Sequence, residues 1–267
     1  MVSSVRAFAL IAGAWLRASL TYRTSFVITT IGQLLVTVLD FVGIVIIFSH
    51  IDRFGGFTLS QIALLYGVSG LGIGFADLLV GNSEQLGRRV RDGTLDSMLV
   101  RPVAPLVQVC ADRFALRRVG RIIQVGVVTG WALVNVDVSW SAAKVAVLIL
   151  AVVSGTVIFC SVFILGSAYQ FIAGDASEVM NAFTYGGNTL TQYPLTIYPA
   201  ELVKGLTFVL PMAFVNWYPV LYVLGRTDPF GLPSWLQLAS PLAAAVMAGL
   251  ATLGWRAGLH RYQSTGS

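Results

Sequence analysis

Between positions 26 and 48 the chain runs twenty-three residues with a single charge, Asp40. A helix apolar on every side has no face to offer water, so it belongs in a bilayer or deep in a core. Five further runs share the pattern, at 61–80, 118–136, 145–170, 203–224 and 235–255. Each approaches the roughly 20 residues that a bilayer core asks of a helix. The third does so only by starting at Arg118. The 267 residues are 56% hydrophobic and 11% charged. Soluble domains sit nearer about 25% charged, and a globule this apolar would aggregate. The expected fold class is an all-α integral membrane protein, one transmembrane domain over residues 1–267 with six spans.

The basic residues set the expected orientation. The stretch 81–121, between the second and third spans, holds eight of the seventeen lysines and arginines: Arg88, Arg89, Arg91, Arg101, Arg113, Arg117, Arg118 and Arg121. With both termini on the same side as this stretch, only Arg53, Lys144 and Arg226 fall on the other. Such residues collect on the cytoplasmic side. The reading is a multi-pass cell-membrane protein with cytoplasmic N- and C-termini.

Residues 1–25 read as a helix lying on the inner membrane surface. Val5, Phe8, Ala9, Ala12, Trp15, Leu16 and Leu20 recur at helical spacing, with Arg6 and Arg17 on one other face. A cleaved signal peptide is the competing reading, and the two-faced pattern and Arg17 and Arg23 argue against it. The fifth span contains Pro211 and Pro219, each of which removes a backbone donor. The periodicity does not exclude a break near Pro219 with a short re-entrant element before the sixth span. The inner connection from 171 to 202 is less apolar. Asp175 and Glu178 resemble a helix N-terminus with its capping partner, Val179, Ala182 and Phe183 would share a face, and Gly186-Gly187 would end the helix. Gly70/Gly74, Gly126/Gly130 and Gly254/Gly258 are small residues four apart, which let helices pack closely in lipid.

Several function classes are excluded. The lysines, Lys144 and Lys204, are not preceded by the glycines of a phosphate-binding loop. No His/Cys/Asp/Glu group has metal-ligand spacing, and no catalytic cluster sits at one membrane face. The basic stretch is not interleaved with base-stacking aromatics, so nucleic acid is not an expected partner; the lipid bilayer is. Cys110 and Cys160 lie too far apart on this topology to form a disulfide. Asp40, at mid-span, is a candidate intramembrane polar site. It either belongs to a substrate or proton path or pins the first span to a neighbour. Asp77 lies about a turn from the inner end of its span, within reach of Arg88 or Arg89.

Inside the basic stretch, Gly93 separates two short helical pieces. Thr94 is placed to cap the second, which Arg101-Pro102 stops. Leu95, Met98 and Leu99 form one apolar stripe, with Asp96 and Arg101 off it. A helix of under two turns gains little from its own hydrogen bonds, so something must receive that stripe. Pro105 then starts a longer helix carrying Arg113, Arg117 and Arg118 into the third span.

The pattern Arg91, Gly93, Leu95, Asp96, Leu99, Arg101, Pro102 resembles the permease subunits of ABC-2-type transporters, especially the bacterial six-span branch. The ending Arg261-Tyr262-Gln263-Ser264-Thr265-Gly266 and the Tyr-Pro pairs at 193–194 and 198–199 are similar as well. The resemblance implies that a separate cytoplasmic ABC ATPase dimer carries ATP and Mg, that this chain binds no cofactor and is not itself an enzyme, and that a second permease subunit, identical or related, completes the path. It implies an exporter of an amphipathic or hydrophobic substrate. It also makes 81–121 the coupling loop, with Arg91, Gly93, Leu95, Asp96, Met98, Leu99 and Arg101 as the contact to the ATPase. Asp175, Glu178 and Phe183 are a second candidate inner contact. The alternative is a stand-alone secondary transporter or channel, which would show repeated halves, broken helices and several intramembrane charges.

Overall fold

The structure, a computed structural model, describes residues 4–21, 23–112, 118–174 and 176–262. Among them there is no strand, only one bridge between Phe54 and Phe57. In chain order the helices are α1 (Ser4–Thr21), α2 (Arg23–Phe48), α3 (Leu59–Val80), α4 (Leu86–Arg91), α5 (Thr94–Leu99), α6 (Pro105–Ala111), α7 (Arg118–Asn135), α8 (Ala142–Ala173), α9 (Ser177–Thr191), α10 (Ala200–Lys204), α11 (Trp217–Leu224) and α12 (Ser240–Arg261).

α3 is the centre because its glycines let neighbours come close. A Cβ at Gly67, Gly70 or Gly74 would strike Thr129, Val125 or Ile122, so α7 lies antiparallel along nearly the whole of α3. On another side Gly72 meets the backbone of Gly155 on α8, which runs parallel to α3. Small residues substitute here for the hydrophobic drive that lipid does not provide. Gly254 and Gly258 likewise seat α12 against Leu165, Ala168 and Phe171 of α8. Gly126 and Gly130 have no neighbour within 4 Å of such a Cβ.

Among the described residues, four helices are long and apolar enough to cross a membrane: Val27–Phe48, the helix from Leu59, α8 and α12. A fifth appears only if the bent pair Ala200–Val209 and Met212–Leu224 is counted as one span. α7, at 18 residues with Arg118 and Arg121 in its first turn, falls outside that set. The expected count of six is therefore not met by length and apolarity alone.

The expected fifth span at 203–224 is a bent pair of helices, not one continuous helix. Its halves meet at 79°, and both of its ends lie at the Leu59 end of α3. Before it, Thr196 Oγ1 donates to the Gly55 carbonyl at 2.8 Å. After it, Arg226 Nη2 donates to Gln61 Oε1 at 3.1 Å. The Thr207 and Tyr218 hydroxyls, 3.1 Å apart, join the two limbs, and Met212 at the bend packs on Gly187 of α9. The residues flanking the segment on both sides are thus bonded beside the start of α3. Pro211 lies at the bend, where a missing backbone donor and a five-residue π turn, Gly205–Val209, break the α-helical ladder.

α9 and the chain after it run alongside α3 from its Val80 end to its Leu59 end. Met180 packs on Gly166 of α8, Tyr185 reaches toward Asp77 near the Val80 end of α3, and Asn188 and Thr191 bond to Ser69 at its middle. The chain then turns past Tyr193, whose ring meets Phe54, and through a 3-10 turn at Leu195–Ile197 reaches the Leu59 end. Gly186-Gly187 does not end the helix, which continues to Thr191. Asp175 lies outside the described residues.

α1 packs its Ala7/Ala12 face toward α6, while Val5 is left exposed. α2 buries Ile44 and leaves most of its apolar residues exposed, as expected of a helix whose surroundings are lipid or another subunit. The main core lies among α3, α7, α8 and α11. A second, smaller core of Leu86, Leu95, Met98, Val109 and Trp255 sits beyond the Val80 end of α3.

Candidate functional site

This second core underlies the basic stretch. α8 has 32 residues, about 48 Å at 1.5 Å per residue, which is longer than the roughly 30 Å bilayer core. Its last turns therefore project into the layer formed by α4, α5 and α6. There Gln170 accepts from the Gly87 N–H at 2.6 Å, and Ser167 Oγ donates to the Ser83 carbonyl at 2.8 Å. Both side chains are buried.

Gly93 is the N-cap of α5, with φ of +67°, the left-handed region that glycine enters without steric cost. Thr94, expected to cap the helix, is its first residue and donates back to the Arg89 carbonyl at 3.3 Å. Gln108 Nε2 closes the other end, donating at 2.8 Å to the carbonyls of Met98 and Val103. Pro105 starts α6 as expected. That helix stops at Ala111, because Asp112 is extended, and so it is not continuous with α7.

The apolar stripe of α5 faces inward. Leu95 is 0% exposed and Met98 is buried, both packed with Leu86, Val109 and Trp255. The expectation that Leu95, Met98 and Leu99 together form a free docking face is therefore corrected. The second core already receives the first two, and only Leu99 is partly open, at 37%. The surface that faces away from the bundle consists of Arg88, Arg91, Asp92, Ser97, Val100 and Arg101, with Val100 at 85% exposure. Asp96 is half-buried and accepts from the Tyr262 hydroxyl at 2.8 Å. Burial and the neighbouring Asp96 carboxylate push that phenol up to about 12, so it remains a donor at neutral pH.

The arginines are sorted by their partners. Arg89 pairs with Asp112. Arg118 pairs with Asp77 at 3.1 Å and donates to its carbonyl at 2.9 Å, so Asp77 is held across to α7 rather than by Arg88 or Arg89. Gly81 makes this approach feasible, since a Cβ there would collide with both side chains. Asp40 is exposed on α2, with the Arg121 charge within electrostatic reach. Glu178 is exposed on the first turn of α9. Phe183, half-exposed, lines an apolar groove of about 680 Å³ between α9 and the bent segment, with Gly186, Leu190, Leu206, Val209 and Met212. Cys110 and Cys160 are both free thiols, and burial pushes Cys110 up to about 12.

Sequence reasoning missed one buried polar seam. Ser69 donates to Asn188 Oδ1 at 3.1 Å and lies 2.6 Å from the Thr191 hydroxyl, and Asn216 Nδ2 donates to the carbonyls of Leu65 and Thr191. The signal was present as Asn181, Thr184, Asn188 and Thr191, polar residues three and four apart on one helical face.

Comparison with known proteins bears on this arrangement. The family model described as "ABC-2 family transporter protein" matches residues 34–266. No curated protein and no solved structure matches the chain. The match takes in five of the six expected spans whole, most of the first, the basic stretch and the whole C-terminal motif. Such a component is not itself catalytic, and the family implies association with an ABC ATPase. The chain belongs to the ABC-2 family of transporter proteins, as a membrane-embedded permease.

Proposed function

We propose that the chain is one of two permease subunits of an ABC exporter, identical or related, and that a cytoplasmic ATPase dimer carrying ATP and Mg drives it. Six passes follow if α7 and the stretch from α9 to Tyr198 are counted with α2, α3, α8 and α12. α7 runs beside α3 for nearly its full length, and α9 with its extension links the two ends of α3. Both termini then lie on the side of the basic stretch, which arginine distribution makes cytoplasmic. The substrate class that fits best is amphipathic or hydrophobic, because the groove beside α9 is lined almost wholly by apolar residues, with Thr189 among them.

The observation that carries the reading is the layer beyond the Val80 end of α3. α5 has six residues and no stability of its own. It is nevertheless held from beneath by Leu95 and Met98, and it presents Ser97 outward, flanked by exposed Arg91, Val100 and Arg101. A rigidly backed, basic, partly apolar knob suits docking into a groove on a soluble partner. Rim charges set orientation and encounter, and one buried apolar anchor supplies affinity.

The test is co-purification from native cells. The wild-type chain should bring down an ATPase. Val100→Asp with Arg101→Glu should lose it, at a cost on the order of 2 kcal/mol or more in binding, while the permease stays folded. Absence of any ATPase with the wild-type chain, together with transport by the isolated chain, would establish the stand-alone transporter instead.

A further inference from the structure

Two sequence motifs 166 residues apart meet in the second core. One is the α5 motif around Leu95 and Asp96, and the other is Arg261-Tyr262 at the end of α12. Tyr262 donates to Asp96 at 2.8 Å, and Leu95 packs in the cluster that contains Trp255, with Tyr262 against it. The Phe171 ring of α8 lies between them, 5.4 Å from Trp255 and 5.9 Å from Tyr262. A load applied to the outer side of α5 has to pass into this cluster, because a helix under two turns does not carry load by itself. Packed side chains of this kind shift as a unit rather than deform.

From the cluster the stiffest continuation is α12, 22 residues and about 33 Å long. It is keyed to α8 at Gly254 and Gly258, where helix backbone and side chains are in direct contact. At its other end Ser240 Oγ, buried, donates to the Phe214 carbonyl at 2.7 Å. Phe214 belongs to the bent segment that walls the apolar groove.

We propose that α12 is the rod that transmits ATPase-driven movement of α5 to the re-entrant segment, with Tyr262–Asp96 as the joint at one end and Ser240–Phe214 as the joint at the other. This rests on the permease reading above. Tyr262 and Ser240 are positioning residues: they act through α5 and the re-entrant segment and touch no substrate.

The experiment uses the complex with its co-purifying ATPase, reconstituted in liposomes, with Cys160→Ala and a reporter Val209→Cys on the exposed flank of the bent segment. Maleimide labelling is timed without nucleotide and with ATP plus vanadate. The wild-type complex should show different rates in the two states. Tyr262→Phe should abolish the difference while the ATPase stays bound. Asp96→Ala should do the same, and the double variant should be no worse than either single one, as a shared link requires. Ser240→Ala should abolish the difference from the far end. It also decides the matter if Tyr262→Phe fails to fold. A merely structural role would lower thermal stability and leave the nucleotide-dependent difference intact. That result, or a wild-type complex whose ATPase is bound but whose two rates are equal, overturns the proposal. Failure of the wild-type chain to bring down any ATPase overturns the permease reading itself, a separate outcome.

Discussion

Leu95 and Leu99 are four residues apart and equal in chemistry, yet they do opposite things. Leu95 is sealed beneath α5, and Leu99 is more than a third open. Removing the Leu95 side chain leaves a cavity among Leu86, Val109 and Trp255, and such cavities cost about 2–5 kcal/mol. Leu95→Ala is expected to lower the thermal midpoint of the purified protein and to expose the 81–112 layer to protease. Leu99→Ala is expected to change stability by about 0.5 kcal/mol or less, as exposed substitutions do. Equal effects from the two would show that the second core is not formed. The helical spacing 95, 98, 99 was legible as a stripe, but spacing alone carries no information about which side of the helix the rest of the chain occupies.

At the scale of elements, α9 shows what apolar runs leave out. Its 15 residues include Asn181, Thr184, Asn188 and Thr191, too polar for a helix presumed to face lipid. They are tolerated because the stripe turns inward: Asn188 and Thr191 bond to Ser69, the Asn216 amide donates to the Thr191 carbonyl, and Thr184 donates to the Met180 carbonyl. The bent segment is the mirror case, apolar enough to count as a span by composition yet sharply bent at Pro211. Asn216 joins the two, donating to Leu65 on α3 and to Thr191 on α9. Asn216→Ala leaves both carbonyls short of a donor, a loss of about 1–3 kcal/mol. The expected result is a less stable protein in which a cysteine at Val209 labels faster than in the parent. Unchanged labelling and stability would mean that the segment is held by packing alone.

For the whole molecule the question is which segment makes the fifth pass. Cysteines introduced at Gly56, Asp137, Thr196 and Asp228 are expected to react with an impermeant thiol reagent applied outside intact cells, and cysteines at Asp92 and Ser177 are not. Thr196 is the discriminating position. It is exposed and bonded to Gly55, so it reacts from outside if α9 crosses and is shielded if the 171–202 connection stays within. The native thiols leave the assay clean, since Cys110 is buried with its pKa near 12 and Cys160 is half-buried in the bundle.

Membrane residence, the all-helical class, the places of α2, α3, α7 and α8 and the special character of the stretch around Gly93 were all settled by the sequence. Apolar length, charge scarcity and a helix-breaking glycine act locally and can be read one residue after another. Tertiary structure alone decided that Asp77 pairs with Arg118 across two helices, that α5 buries its apolar face in its own chain, and that the ending around Tyr262 closes on Asp96. Those are meetings between residues 41 and 166 positions apart. What brings them together is the close approach of helices at Gly70, Gly74, Gly254 and Gly258, a property of surfaces in contact that no single stretch of chain contains.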